Sequence, residues 1–277
     1  MAVNEQQNRQ RTPDALSDRV RATWTTGDFG RIAIGYEQGA AEFIARLGLR
    51  PEERVLDVAC GTGNLALPAA RAGARVTGID IAPALVAQLA ERAAAEGLAV
   101  DGREGDAEAL PFADGTFDSV VTMFGAMFAA HPQRAADEML RVTRSGGRIA
   151  MANWTPDGFI GRMLRVTVGY VPPPAGMPSV LLWGDPDVVR ERLGGGAAEV
   201  RFERRPMVLA FPFGPEETVR LFRTWYGPTV RAFAALDEER QGGLFADLVR
   251  LWHEHNTAGQ DATRVESEFL EVVARRA

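Results

Sequence analysis

Short β-branched runs alternate with alanine-rich helical segments between residues 54 and 154, and this alternation constrains the fold more than any other feature. The first two runs, RVLDV and RVTGI, are followed by the helical segments NLALPAARAG and PALVAQLAERAAAEG. Further runs occupy 98–103, 117–124 and 148–154, and the run FDSVVTMF is typical of a strand that is buried on both faces. Alternating strands and helices predict a parallel sheet that is connected by right-handed crossovers.

The flanking segments predict further helices and two further strands. We expect a disordered tail at 1–12 and helices over 14–24 and 31–47, the second of which ends at the breaker in 48–51. A helix that starts near residue 158 ends at Pro172, since proline cannot continue a helix. The runs VRFERRPMVLAFPF and EFLEVVARR predict strands that return to the sheet edge, separated by helices.

These elements predict an α/β fold with a mostly parallel seven-stranded sheet, helices on both faces, N-terminal helices and a helical cap. We expect the N-terminal helices at 13–50 to lie over a ligand site and the ligand-binding core to span 51–155. The segment 156–277 then supplies the remaining strands and a substrate cap at about 215–262.

Composition restricts the partners that the chain can have. With 31 Lys and Arg against 37 Asp and Glu, the net charge of -6 argues against nucleic-acid binding, which requires a basic surface. Cys60 is the single cysteine, so no intrachain disulfide can form. The polar start of the chain lacks a signal-peptide core, and no run approaches the roughly 18 apolar residues of a membrane span. We therefore expect a cytoplasmic protein without stable membrane insertion.

The first strand runs directly into a glycine loop and a helix. Gly61 and Gly63 lack a Cβ, so the backbone can turn tightly and a ligand can approach the N–H groups at the helix start. Asp57, inside the strand, can organise this loop or hold a cationic ligand through water. Gly61, Gly63 and Ala66 also fit the G-x-G-x-x-A fingerprint of Rossmann-like nucleotide-binding folds.

An acid follows the second strand. Asp80 ends the RVTGI run, at the carboxyl end of the strand, where a carboxylate can accept both hydroxyls of a ribose. A nicotinamide nucleotide and any other adenosine-containing cofactor satisfy this pattern equally well. At this point a nicotinamide-dependent oxidoreductase remains an alternative.

A third motif, GDAEALPF at 105–112, follows the third strand and precedes FDSVVTMF. The set VLDVACGTGN, GID, GDAEALPF, FDSVV and RVTRSGGRIAMA resembles the class I S-adenosylmethionine-dependent methyltransferases, and is most similar to their ubiquinone/menaquinone-biosynthesis-like, small-molecule branch. The resemblance covers roughly residues 50–155. An oxidoreductase gives no account of GDAEALPF or of the N-terminal helices.

The resemblance implies S-adenosyl-L-methionine as the cofactor and assigns its contacts. Asp80 would take the ribose, Asp106 the adenine amino group, and Met123 would lie near the sulfonium. The full set of candidate cofactor-binding residues is Tyr36, Asp57, Gly61, Thr62, Gly63, Asp80, Ile81, Asp106, Ala107 and Met123. One departure from the family pattern is Ala59, where the family often has glycine; we expect the loop to tolerate it.

The implied reaction is in-line displacement, in which a small-molecule acceptor attacks the methyl carbon and the protein supplies positioning and desolvation. This chemistry requires no dedicated catalytic side chain. His131, after the fourth strand, is a candidate general base, although the position before Pro132 also suits a residue at a helix start. His253 and His255 do not share a helical face, so we expect no metal site. A catalytically silent cofactor-binding protein remains a further alternative.

Aromatic residues recur outside these motifs, before the first strand and in the predicted cap. We expect two or three of their rings to line an apolar acceptor pocket. The run MFGAMF, at the end of the fourth strand, lacks the Asn/Asp-Pro-Pro-aromatic signature of adenine N6-methylating enzymes.

Overall fold

The computed structural model of the protein describes residues 14–277, so the tail expected at 1–12 lies outside the described residues. One seven-stranded sheet has the order β3-β2-β1-β4-β5-β7-β6. The strands from β1 to β5 are parallel, and β7 runs antiparallel to both of its neighbours. The strands are β1 Arg54–Val58, β2 Arg75–Asp80, β3 Val100–Glu104, β4 Phe117–Met123, β5 Thr143–Trp154, β6 Ala197–Phe211 and β7 Thr263–Arg276.

Helices cover both faces of this sheet, which confirms the predicted fold class. The helices are α1 Ala15–Trp24, α2 Gly30–Ala33, α3 Glu37–Leu47, α4 Ala66–Arg71, α5 Pro83–Ala95, α6 Pro132–Val142, α7 Phe159–Tyr170, α8 Pro186–Leu193, α9 Pro215–Trp225, α10 Gly227–Ala234 and α11 Glu238–His255. The short helix α8 was not predicted, because the segment between α7 and β6 shows no clear periodicity.

The burial of the strands follows their place in the sheet. The central strand β4 is buried along nearly its whole length, as the apolar run FDSVV predicts. The edge strand β6 is largely exposed over its first half and contains Pro206. Proline is tolerated there because an edge strand has one side that needs no hydrogen-bond donor.

The single helix predicted over 31–47 is wrong, since the chain forms α2, a 3-10 turn over Ile34–Tyr36 and then α3. Gly35 lies in the turn, and a Cβ on it would come within 2.4 Å of the Phe211 ring. Glycine at this position therefore allows the turn to pass close to Phe211, at the end of β6. The predicted end of α3 is confirmed, because Gly48 caps it with a φ of 57° in the left-handed region.

Two groups of helices meet above the carboxyl ends of the parallel strands. The helices α9, α10 and α11 form an insertion between β6 and β7, and α1 packs against α10 while α2 packs against α9. Asp14 caps α1 by accepting hydrogen bonds from the N–H groups of Leu16 and Ser17. The N-terminal helices and the insertion thus form one cover.

Candidate active site

A cavity lies between the carboxyl ends of β1 to β4 and the N-terminal part of this cover. Its floor includes six of the predicted cofactor-binding residues, and its roof includes three residues of α1. The six floor residues are Gly61, Asp80, Ile81, Asp106, Ala107 and Met123; the three roof residues are Ser17, Val20 and Trp24. The other four predicted residues, Tyr36, Asp57, Thr62 and Gly63, lie outside the cavity wall.

The loop after β1 turns through three residues in the left-handed region. Their φ angles are 56° at Ala59, 52° at Gly61 and 92° at Gly63. A Cβ on Gly61 would meet only Phe29 Cδ1, at 3.8 Å, so this glycine presents its backbone to the cavity. A Cβ on Gly63 would lie 2.4 Å from Leu89 Cδ1, so Gly63 allows α5 to pack closely. Ala59 shows that the loop accepts alanine, although a left-handed alanine costs roughly 1–2 kcal/mol.

Asp80 joins the loops that follow β1 and β2. Its carboxylate accepts hydrogen bonds from the N–H of Gly61 at 2.8 Å and from the N–H of Ala82 at 2.9 Å. Burial raises the pKa of Asp80, and these backbone hydrogen bonds limit the rise. An ionised carboxylate can accept about four hydrogen bonds, so Asp80 retains acceptor capacity on the cavity side.

Asp57 is a buried carboxylate with incomplete hydrogen bonding. It is 1% exposed, and its Oδ2 atom has no hydrogen-bond partner among residues 14–277. Burial raises its pKa well above the usual value, the N–H of Ala66 opposes this rise, and the charge of Asp80 adds to it. Buried polar atoms in folded proteins nearly always have partners, so the Oδ2 atom points to a missing water or cationic group.

The loop after β3 presents an acid and a small apolar residue to the cavity. The Asp106 side chain accepts a hydrogen bond from the N–H of Glu108 at 2.9 Å, which closes a tight turn. Gly105 precedes it, and a Cβ at this position would lie 2.3 Å from Ile79 Cδ1. Only glycine allows the loop to pass so close to β2.

His131 lies outside the cavity wall and bridges two carboxylates. Its Nδ1 atom is 2.8 Å from Glu108 Oε2, and its Nε2 atom is 3.2 Å from Asp14 Oδ2. Its backbone N–H also donates to Glu108, at 2.8 Å. His131 therefore connects α1, which is capped by Asp14, to the loop after β3. A role as general base stays a prediction, and the contacts seen here are structural.

Thr62 faces away from the cavity. Its hydroxyl accepts a hydrogen bond from Arg92 Nη1 at 3.1 Å, and Arg92 Nη2 pairs with Glu37 at 2.6 Å. These contacts connect the glycine loop to α5 and α3.

The roof of the cavity is aromatic. The rings of Trp24, Phe29, Phe124 and Phe128 line it. Trp24 makes edge contacts with Phe29 and Phe128, with ring centroids 5.4 Å and 4.9 Å apart. Phe124 has a φ of 57° and stacks on Trp154 at 3.5 Å. Of the aromatic residues before the first strand and in the cap, Trp24 and Phe29 line the cavity, whereas none of those in the cap does. Their contact with an acceptor stays a prediction, and Phe124 and Phe128 were not predicted to line the cavity.

The donors and acceptors around the cavity fit S-adenosylmethionine. Asp57 has a carboxylate oxygen that is unpartnered among residues 14–277, and because it is buried outside the cavity wall it can reach a cationic group only through water. Gly61 presents its backbone to the cavity. Asp80 and Asp106 are acceptors at successive strand ends, which suits ribose hydroxyls and an exocyclic amino group.

Comparison with known proteins agrees with this chemistry. The sequence matches a family model described as a methyltransferase domain over residues 56–151. The Mycobacterium tuberculosis protein Rv1403c is 39% identical over 264 residues, which are 92% of this chain and 93% of the relative. The demethylmenaquinone methyltransferase of Thermus thermophilus is 42% identical over 118 residues, which are 41% of this chain and 54% of that enzyme. The chain belongs to the class I S-adenosylmethionine-dependent methyltransferases.

The methyltransferase shares its fold with the YcgJ protein of Bacillus subtilis. The two structures have a TM-score of 0.57 at 18% identity, over 86% of the methyltransferase and 98% of YcgJ. The predicted Rossmann-like fold and the predicted ubiquinone/menaquinone-type family are both confirmed. Among residues 14–277 of the methyltransferase, no helix combines the length and apolar character that a membrane crossing requires.

Proposed function

We propose that the protein transfers a methyl group from S-adenosylmethionine to a small-molecule acceptor by in-line displacement. The observation that carries the proposal is the cavity wall, where Asp80 and Asp106 are acceptors at successive strand ends beside the backbone of Gly61. Asp57, a buried acid whose pKa is raised by burial and by the charge of Asp80, adds an Oδ2 atom that is unpartnered among the described residues. When bound, S-adenosylmethionine supplies a methyl group that its positive sulfur has already activated.

In this proposal the residues of the floor hold the cofactor. Asp80 accepts the ribose hydroxyls, Asp106 accepts the adenine amino group, and Ile81 and Ala107 pack against the adenine. Met123, at the end of β4, lies on the sulfonium side. Asp57 and the loop Gly61, Thr62 and Gly63 hold the methionine portion, and Tyr36 contacts the cofactor from the N-terminal side.

The cover positions the acceptor and excludes water. We assign this role to the N-terminal helices in 13–50, which line the cavity through Ser17, Val20 and Trp24, and to the cap at about 215–262, because α9 and α10 pack against α2 and α1. Desolvation strengthens the electrostatic interactions inside a closed site and favours the reactive geometry. The proposal places the enzyme in the cytoplasm, with no nucleic acid as partner.

Calorimetry with S-adenosylmethionine, S-adenosylhomocysteine, NADH and NADPH tests the proposed cofactor. We expect binding of the first two alone, accompanied by a rise in thermal stability, because a ligand that binds only the native state stabilises it. Binding of a nicotinamide nucleotide in their place would overturn the proposal. A cofactor-loaded protein that methylates no compound in a broad acceptor screen would point to a silent cofactor-binding protein.

A further inference from the structure

The outer edge of β6 is open along the first half of the strand. β6 is the last strand of the sheet, and among residues 14–277 only β7 hydrogen-bonds to its backbone. The side chains there are exposed, by 49% at Glu199, 78% at Arg201 and 59% at Glu203. An edge with free N–H and C=O groups is a template on which another strand can pair.

Pro206 indicates which backbone groups of β6 point outward. The register with β7 is unbroken from Glu199 to Phe211, so alternate residues direct their N–H and C=O groups to the same side. Proline has no N–H, and within a sheet it occupies positions whose N–H side faces away from the neighbouring strand. Val200, Phe202 and Arg204 alternate in phase with Pro206. Their N–H and C=O groups therefore face the open edge.

The charges of the intervening residues alternate in sign. Glu199, Arg201, Glu203 and Arg205 lie on one face of β6, and they pair along the strand: Arg201 Nε is 2.7 Å from Glu199, and Arg205 Nη2 is 2.5 Å from Glu203. Charged side chains on an edge strand usually discourage pairing. An alternating series is different, because it is complementary to an antiparallel copy of itself.

This complementarity selects one register. With the two Phe202 residues opposite each other, Glu199 faces Arg205 and Arg201 faces Glu203, each twice by symmetry. Sliding the partner strand by two residues opposes Glu199 to Glu203 and Arg201 to itself, or Arg201 to Arg205 and Glu203 to itself. Like charges directly opposite are destabilising, whereas opposite charges stabilise the pair. A slide of four residues keeps only half of the favourable pairs.

We propose that two copies of the protein form a symmetric dimer by antiparallel pairing of their β6 edges, centred on Phe202. The pairing joins the two seven-stranded sheets into one continuous sheet. The outward groups of Val200, Phe202 and Arg204 then hydrogen-bond across the interface. The charged residues occupy the intervening pairs, where opposite Cα atoms lie only about 4.5 Å apart.

The dimer leaves both cavities open. β7 is antiparallel to both β5 and β6, so β6 runs in the same direction as the parallel strands. Because the two β6 strands are antiparallel to each other, the carboxyl ends of β1 to β4 point in opposite directions in the two copies. The dimer is therefore independent of the proposed function, and it can be tested without a substrate.

Sedimentation of the full-length protein over a dilution series tests the interface. We expect the wild type to form a dimer, and Arg201→Glu and Glu203→Arg each to weaken it by about 10-fold or more, because like charges then oppose each other twice. Arg75→Glu is the matched control. Arg75 is 73% exposed and ion-paired with Glu52, but it lies on the internal strand β2. This variant should dimerise like the wild type.

Mixing the two weakened variants tests the register itself. An equimolar mixture of Arg201→Glu and Glu203→Arg should form a mixed dimer, because both contacts between the two chains then join opposite charges. The double variant Arg201→Glu/Glu203→Arg should dimerise alone for the same reason. These gains also show that the single variants are folded.

Three results overturn the inference: a wild type that is monomeric at roughly 0.1 mM, a dimer that Arg201→Glu leaves unchanged, or single variants that do not pair when mixed. The first would leave the edge free for a strand of a different protein, and the second would place the dimer interface on another surface.

Discussion

The substitution Asp57→Asn tests two effects of the Asp57 carboxylate that we expect to be opposite in sign. The carboxylate should lower the stability of the unliganded protein, and it should contribute to cofactor binding. In the unliganded protein, Asp57 is a buried acid with one unpartnered oxygen and a like charge nearby on Asp80. An asparagine keeps an acceptor for the N–H of Ala66 and removes both the buried charge and the repulsion. We expect the unliganded variant to be more stable than the wild type by about 1–2 kcal/mol at pH 8, since an uncompensated buried charge costs several kcal/mol.

The stability difference between Asp57→Asn and the wild type should depend on pH. The pKa of Asp57 is raised by folding, so the native protein binds this proton more tightly than the unfolded chain, whose value is close to 3.8. The contribution of Asp57 to wild-type stability is therefore fully present at low pH and is lost as the pH rises through the native pKa. The advantage of Asp57→Asn should shrink from pH 8 towards pH 4.

Asp118→Asn is the control, because it should change the stability of the protein in the opposite direction. Burial disfavours the Asp118 charge, but hydrogen bonds from Arg144 and Arg54 outweigh burial and hold its pKa at about 2. Its stabilisation is present above the unfolded value of 3.8 and is lost as the pH falls towards 2. We expect Asp118→Asn to lose about 1–2 kcal/mol at pH 8, a range reduced for solvent screening.

The assay is urea unfolding followed by tryptophan fluorescence, at several pH values and with or without S-adenosylhomocysteine. The ligand should stabilise the wild type and Asp118→Asn, and it should stabilise Asp57→Asn much less. The reasoning is refuted if unliganded Asp57→Asn is destabilised at pH 8 as much as Asp118→Asn. It is also refuted if Asp57→Asn gains as much stability from the ligand as the wild type does.

Three further substitutions test other parts of the site. Asp80→Asn should weaken S-adenosylhomocysteine binding by about 10- to 100-fold in calorimetry, because charge-assisted hydrogen bonds are lost; unchanged affinity contradicts the ribose role. His131→Gln should lower the free energy of unfolding by about 1–2 kcal/mol and speed S-adenosylhomocysteine release in stopped-flow, because it removes a bridge to a buried acid. Arg71→Gln removes an exposed ion pair with Glu96 and should change both the free energy of unfolding and the release rate by less, and equal effects would argue against the bridge. Gly63→Ala should cost about 2–4 kcal/mol in urea unfolding, against about 1 kcal/mol for Gly176→Ala, which has a similar φ in open space; equal costs would rule out a packing role for Gly63.

The floor of the site could be predicted from the sequence because its geometry is local to each strand and its loop. Asp80 and Asp106 each follow a strand of a parallel sheet, and the carboxyl ends of such strands meet at one edge. Gly61 joins them because a tight turn after β1 requires a residue without a Cβ. Hydrophobic period and glycine placement predict where these residues lie, whereas the choice of Asp106 as a cofactor contact follows from the resemblance to the methyltransferase family.

Aromatic rings near the cavity could be expected from the sequence, but the contacts within the roof could not, because they join segments that are distant in sequence. Trp24 and Tyr226 meet only after α1 has packed on the cap, and neither belongs to a periodic motif. The contact between His131 and Asp14 depends on the same packing. The break in the predicted helix at 31–47 likewise reflects a distant strand, which passes Gly35 too closely for a side chain.

The cap is joined to the sheet at two residues that are register partners in neighbouring strands. Phe211, at the end of β6, is the register partner of Thr263, at the start of β7. Partners in an antiparallel pair lie about 5 Å apart, so the whole cap is a loop whose two ends are held at a fixed, short separation. Closing a longer or shorter loop across such a gap changes the chain entropy only slowly with length. Exchanging the segment between these two residues for that of another member of the family keeps its anchor points in the sheet, and this provides a test of the proposed role of the cap in acceptor binding.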